Sequence, residues 1–341
     1  MLGLRDQLNR TGVKVKLFDM YKDSIGDYDI LHLWRPLGDP LDALNLVNIA
    51  RKNGVKVVVS PIYWLTHVSE PVLSFDEHRV HFQLKSLLRN TVSSFVQREG
   101  VDLGFDSIHW FHRYVLRNAD LLLPNSWDEG RLLVNHFKVD REKIHPVPIG
   151  VDGKFAGAKP DEFVDKYGIN NFLLFVGRID ERKNVLNLIK AYKRTGLKTE
   201  LVIIGHTSNK EYLEECLKAA EGDKNVIFCG FMPHDSDLLS SAYAAAKALI
   251  LPSWFETPGI VALEAGLAGA NVAITKIGGT TEYFKNLAFY IDPYKLSSIE
   301  KAIVESHSKE KASDLREHIL DNYTMEKIAK PYTEAYEKVL I

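Results

Sequence analysis

Four short apolar runs, each closed by a glycine or a proline, punctuate the second half of the chain. Residues 172–176 run into Gly177, 200–204 into Gly205, 225–229 into Gly230, and 248–251 into Pro252. Runs this short, with little polar alternation, predict strands covered on both faces. Between them the period changes. Val185, Leu188, Ile189 and Tyr192 share one face of a predicted helix over 185–194, and further helices are predicted over 211–220 and 238–246. Strands and helices in alternation predict βαβ units around a parallel sheet, an α/β fold. Ligands of such sheets lie beyond the carboxyl ends of the strands, where these glycines fall. The first half alternates similarly. Strands are predicted over 13–18, 30–33, 55–60 and 121–124, and helices over 1–10 and 40–53. Apolar positions at helical spacing predict a last helix over 324–340.

Composition narrows the class. A chain of 341 residues with 45% apolar content can fill two cores, so two domains are expected. The formal charge of −2 argues against a nucleic-acid partner. Cys216 and Cys229 are too few for a disulfide framework and lack metal-ligand spacing; buried free thiols in a reducing compartment are expected. No apolar run reaches the length of about 18 residues that spans a bilayer, and the first ten residues are mixed rather than leader-like. A cytoplasmic protein is expected, with one route to peripheral membrane contact. Residues 78–98 carry Arg79, Lys85, Arg89 and Arg98 without an acid, beside an apolar helical face. Two readings fit: a core-packing helix with a solvated basic face, or a surface helix that docks on anionic lipid.

The most informative stretch is 254–264. Glu256 and Glu264 stand eight positions apart, separated by a Thr257-Pro258-Gly259 turn, with small residues following. Strand, Gly/Pro turn and helix build an anion site, because the first helical N–H groups lack partners and the helix dipole adds about half a positive charge. Pro258 suits the first helical turn, and Gly259 lets a ligand approach the backbone. A pair of carboxylates, pure acceptors, suits sugar and ribose hydroxyls.

This segment resembles the E-x7-E motif of family 4 retaining glycosyltransferases. Two further matches accompany it. Residues 175–184, with Gly177, Arg178 and Lys183, resemble the family's G-R-x5-K loop. Residues 118–126 and Ile149-Gly150-Val151-Asp152 resemble the strand and linker before its second domain. The resemblance implies the GT-B fold, two Rossmann-like domains facing a cleft: an acceptor-side domain over 1–150, a nucleotide-sugar donor domain over 151–325, and a terminal helix over 326–341 crossing back. Residues near 148–155 would be the hinge. It also implies a strand and a Gly-rich loop ahead of the first helix. The sequence starts at Met1 inside what resembles that helix, so an N-terminal domain without its first strand is expected.

The implied reaction moves a sugar from a nucleotide diphosphate, UDP or GDP, to a glycan or lipid-linked acceptor. Arg178 and Lys183 would hold the diphosphate, where negative charge grows as the sugar leaves. Glu256 would bind donor sugar hydroxyls and Glu264 the ribose. The Gly259, Ile260 and Val261 amides would meet phosphate or sugar oxygens, and Gly205, Gly230 and Phe231 would border the base. With these cations no metal need be invoked, and the resemblance implies none. Asp27-Tyr-Asp29 and Asp235-Ser-Asp237 read as turns and helix caps rather than metal ligands. His32, His109 and His112 read as structural before catalytic, and His67 is out of register with the family's loop histidine. Gly278-Gly279-Thr-Thr-Glu282 reads as a tight turn. The rival readings are a sugar-nucleotide epimerase or phosphorylase on the same fold, and a non-catalytic or degenerate nucleotide-sugar binding protein.

Overall fold

Strands that are apolar on both faces need cover on both, and the connecting helices supply it. A computed structural model describes residues 2–36, 40–63, 105–311 and 313–341. The basic stretch over 78–98, and His67, lie outside the described residues. The chain divides into two units, Met1–Val15 with Pro148–Pro331, and Lys16–Val147 with Tyr332–Ile341.

The chain opens with α1 (Leu2–Arg10), whose Leu4 and Leu8 are buried. The strand expected over 13–18 does not form. Val13 N–H donates to the Leu8 carbonyl at 3.2 Å and Val15 N–H to the Asn9 side chain at 2.9 Å, while Leu17 is half exposed. Local bonds therefore satisfy this backbone, and no buried face rewards the Val-Lys-Val-Lys alternation.

Next come β1 (Ile30–Trp34), α2 (Pro40–Lys52), β2 (Lys56–Ser60), α3 (Phe105–Asn118), β3 (Leu121–Leu122) and α4 (Trp127–Phe137). The strands form a parallel sheet in the order β1-β2-β3, with Ile30 opposite Lys56 and Val58 opposite Leu121. Val47, Val57, Val59, Leu116, Leu133 and Phe137 fill its core. Ser126 caps α4 by accepting from Glu129 N–H at 3.1 Å. His32 is half-buried between Ser60 Oγ (2.9 Å) and Tyr336 Oη (2.8 Å), and desolvation lowers its pKa to about 3. A histidine held neutral and bonded at both nitrogens fits the structural reading.

The second unit continues with α5 (Asp161–Tyr167), β4 (Leu173–Val176), α6 (Val185–Thr195), β5 (Leu201–Ile204), α7 (Lys210–Ala220), β6 (Val226–Gly230), α8 (Asp237–Ala245) and β7 (Ala248–Leu251). Then follow α9 (Ile260–Leu267), β8 (Asn271–Thr275), α10 (Thr280–Phe284), β9 (Phe289–Ile291), α11 (Leu296–Ser308), α12 (Ser313–Asn322) and α13 (Met325–Leu340). Its six strands are all parallel, in the order β6-β5-β4-β7-β8-β9. The chain winds outward from β4 to β6, then returns to the other flank of β4 with β7. That reversal leaves a crevice at the carboxyl ends of β4 and β7.

The unit boundaries depart from the expected 1–150, 151–325 and 326–341. Residues Met1–Val15 group with Pro148–Pro331, and α13 is shared, changing unit between Pro331 and Tyr332. Among the described residues no helix is long and apolar enough to cross a membrane. Both cysteines are free thiols, Cys216 buried and Cys229 half-buried.

Candidate functional site

Glycines make the crevice. A Cβ on Gly205 would lie 1.8 Å from the Gly177 carbonyl oxygen, so the chains after β4 and β5 approach as only a glycine permits. Gly205 N–H donates to the Gly230 carbonyl at 2.8 Å, which continues the row to β6. Next to it, His206 and Phe231 meet edge to face at 5.2 Å, and Phe231 is largely exposed.

The loop after β4 turns through a short helical segment, Glu181–Lys183, capped by Asp180 accepting from Lys183 N–H at 2.9 Å. Asn184 then takes left-handed backbone (φ +60°) and enters α6, its buried amide donating to the Pro252 carbonyl at 3.1 Å. The Trp254 backbone N–H donates to Arg182 O at 3.0 Å, and its indole N–H to Glu181 O at 2.8 Å. The loops after β4 and β7 are thus joined by backbone and side chain.

That join brings Lys183 to Glu256. Lys183 Nζ donates to Glu256 Oε1 at 2.6 Å, Ser253 Oγ donates to the same oxygen at 2.7 Å, and Arg182 Nη1 lies 3.8 Å away. Both members of the pair are nearly buried, at 12% and 9% side-chain exposure. Burial raises the Glu256 pKa, but Lys183, Arg182 and the Ser253 hydroxyl outweigh it and hold the carboxyl below its ordinary range. Glu256 is also fixed from behind. Its N–H donates to Ile277 O at 3.0 Å, its carbonyl accepts from Gly279 N–H at 3.1 Å, and a Cβ on Gly278 would lie 1.9 Å from that carbonyl oxygen. The Gly278-Gly279 turn is therefore tight because Glu256 passes against it.

Gly259 caps α9 in the left-handed region (φ +75°), and a Cβ there would lie 2.8 Å from Ile274 Cδ1. The helix begins at Ile260, so Pro258 stands just before it rather than in its first turn as expected, because the positive φ of Gly259 is incompatible with helix. Ile260 is exposed, Val261 and Thr257 are half-buried, and Pro258 is buried. Glu264 is buried on α9, with both oxygens bonded. Tyr243 Oη donates to Oε2 at 2.9 Å, and His234 Nε2 lies 2.6 Å from Oε1.

Arg178 pairs with Asp180 at 3.2 Å and is 59% exposed. Arg182, which the loop motif does not single out, is the second cation at Glu256 and lies over the Phe255 ring at 5.3 Å. Neighbouring basic residues in one loop offer no sequence signal to rank them. Nor did spacing point to Ser253, His234 or Tyr243 as partners of the glutamates. Between Asp235 and Asp237, Ser236 caps α8, accepting from Leu239 N–H at 3.2 Å. Among the described residues no group of three or more His, Cys, Asp or Glu is arranged to hold a metal.

Residues 160–327 match the family model described as "Glycosyl transferases group 1". The D-inositol 3-phosphate glycosyltransferase of Pseudarthrobacter chlorophenolicus is 32% identical over 179 residues, covering 49% of this chain and 42% of that protein. This chain spans about half the length of the curated relatives it matches. Among solved structures, Anabaena Alr3699/HepE in complex with UDP superposes with a TM-score of 0.68 at 16% identity, covering 92% of this chain and 79% of that one. Sucrose-phosphate synthase from Thermosynechococcus elongatus gives 0.66 at 18%, covering 92% and 74%. These likenesses show the fold, that of the GT-B glycosyltransferases. Residues 160–327, which carry Lys183, Glu256 and Glu264 of the six-stranded unit, thus match the group 1 glycosyltransferases.

Proposed function

We propose that this chain is a retaining, metal-independent hexosyltransferase of the family 4 type, which moves a sugar from a nucleoside diphosphate to a glycan or lipid-linked acceptor. The observation that carries the reading is the buried Lys183–Glu256 pair at the β4/β7 crossover, with Glu264 eight residues further on. HepE was solved with UDP and with UDP-glucose, which supports a nucleotide-sugar donor and favours uridine.

In this reading the bond from the sugar's anomeric carbon to the β-phosphate oxygen breaks, and the acceptor oxygen bonds to that carbon on the same face. The acceptor's proton passes to the departing phosphate oxygen. Lys183 has three donors, so its bond to Glu256 leaves two for the diphosphate. Arg178 adds a planar fork from the loop rim, and the first amides of α9 add partial positive charge where the phosphate gains negative charge. Glu256, held ionised, accepts the donor sugar's hydroxyls, and Glu264 those of the ribose.

Thermal stabilisation by UDP, GDP, ADP and their sugar conjugates tests the donor site. One base should raise Tm, as expected for about 2.7 kcal/mol at a hundredfold excess over Kd. Glu264→Ala should lose most of that shift. Absence of a shift with every nucleotide would overturn the reading.

Arg178→Ala supplies a separate test. Its salt bridge to Asp180 is exposed, so Tm should stay within the change of about 0.5 kcal/mol usual at surfaces. Transfer should fall about tenfold to a hundredfold, the value of one charge-assisted bond to phosphate. A folded, fully active variant would remove Arg178 from the diphosphate.

A further inference from the structure

We propose that His234 gates the donor site by holding the Glu264 oxygen that the ribose hydroxyls would take. The inference rests on the donor reading of Glu264 given above. Two partners cover that carboxylate, and they differ in kind. Tyr243 is fully buried and anchors Oε2 from below, at 2.9 Å. His234 bonds Oε1 at 2.6 Å while its own side chain is 65% exposed. Glu264 itself is almost wholly buried. His234 is thus the one of the two partners that reaches solvent, and it covers the side from which a hydroxyl could arrive.

The gate has a charge. The bond to Glu264 raises the His234 imidazole above its ordinary value; burial and Lys154 oppose this, while the charges of Glu264 and Asp235 support it. Phe155 approaches the ring at 6.0 Å and contributes no charge, and Tyr243 stays protonated because burial pushes its phenol well up. A raised histidine is fully charged below its ordinary value near 6.5, and the charge is lost as pH rises through the raised one. The ion pair therefore holds Glu264 hardest below the ordinary histidine value and relaxes as pH rises through the raised one. A ribose competing for Oε1 should bind more tightly as the pH rises through that window.

Calorimetric titration with UDP and with GDP at about pH 6 and about pH 8.5 tests this on the full chain, because that interval brackets histidine titration. Wild-type affinity should rise roughly tenfold across it, and His234→Gln should lose that rise, since one protonation equilibrium coupled to binding gives about tenfold per pH unit below its pKa. The nucleotide's own phosphate titration is common to both proteins and cancels in the comparison. Equal pH dependence in wild type and His234→Gln would overturn the gate while leaving the donor site standing. Glu264→Ala separates the two readings: if it binds as tightly as wild type, or if wild type binds neither nucleotide at either pH, the donor reading falls and the gate with it.

Discussion

Lys183→Ala is expected to remove transfer activity and about 3 kcal/mol of stability together. The variant leaves the Glu256 carboxylate buried with its closest cation gone, and breaking a buried ion pair from one side costs about 3–5 kcal/mol. Ser253 and Arg182 remain within 2.7 and 3.8 Å, which places the expectation at the low end. The rate should fall by at least about tenfold to a hundredfold, the value of the charge-assisted bond to the diphosphate proposed above. Denaturant unfolding and a transfer assay on Lys183→Ala, Glu256→Gln and the double variant Lys183→Met/Glu256→Gln separate the two effects. The double variant should regain much of the stability, because a neutral pair carries no orphaned charge, and none of the activity. The same pair sets a pH dependence. Glu256's depressed carboxyl contributes stability that is complete above the ordinary carboxylate range and is lost as pH falls through the depressed value. Glu256→Gln should therefore soften acid unfolding. If Lys183→Ala leaves both melting and rate unchanged, the pair neither supports the unit nor serves the reaction.

Gly278→Ala should damage the site from behind. Two independent constraints meet there: φ is +106°, and a Cβ would lie 1.9 Å from the Glu256 carbonyl oxygen. Backbone strain costs about 1–3 kcal/mol and overpacking a similar amount, so a loss of about 2–5 kcal/mol is expected. Relief of the clash moves Glu256, and a displacement of about 1 Å at a reacting group can cost about a hundredfold in rate. Nucleotide affinity should suffer less, since Glu264 lies on α9 rather than on this turn. Gly153→Ala is the control, with neither a positive φ nor an atom within 4 Å, and it should stay near wild type. Gly278→Ala melting and turning over like that control would dissociate the turn from the site.

The six-stranded unit was legible because its parallel strands bury both faces. Leu173–Val176, Leu201–Ile204 and Ala248–Leu251 are unbroken apolar runs, each stopped where the crevice begins. β8 escaped the same reading because Asn271 and Thr275 flank only three apolar residues, although all five are buried. The stretch over 13–18 failed the opposite way: its alternation has strand form, but the division between the units falls at Val15 and none of its side chains is fully buried, Phe18 alone packing against a core. At the crossover, the motif resemblance singled out Lys183, Glu256 and Glu264, of which the structure joins the first two and buries both glutamates. It could not say which cation of the 178–183 loop turns inward, since Arg178 and Arg182 differ only in what the folded loop lets them reach. Nor could it find His234 or Tyr243, which come to Glu264 from 30 and 21 residues away by tertiary packing alone.

The crossover that brings β4 beside β7 also sets an order of events during synthesis. Lys183 and Glu256 are separated by 73 residues. At about 5–20 residues per second, Lys183 is added to the chain about 4–15 s before Glu256 is. Once β5 has followed, β4 has a neighbour on one side and an open edge on the side that β7 later takes, and Lys183 still lacks Glu256. The Lys183 side chain and the Glu256 carboxylate thus acquire their buried state in one late step, after β7 docks. A nascent chain stalled short of that strand would carry Gly177, Arg178 and Lys183 without the carboxylate that Lys183 meets in the folded unit.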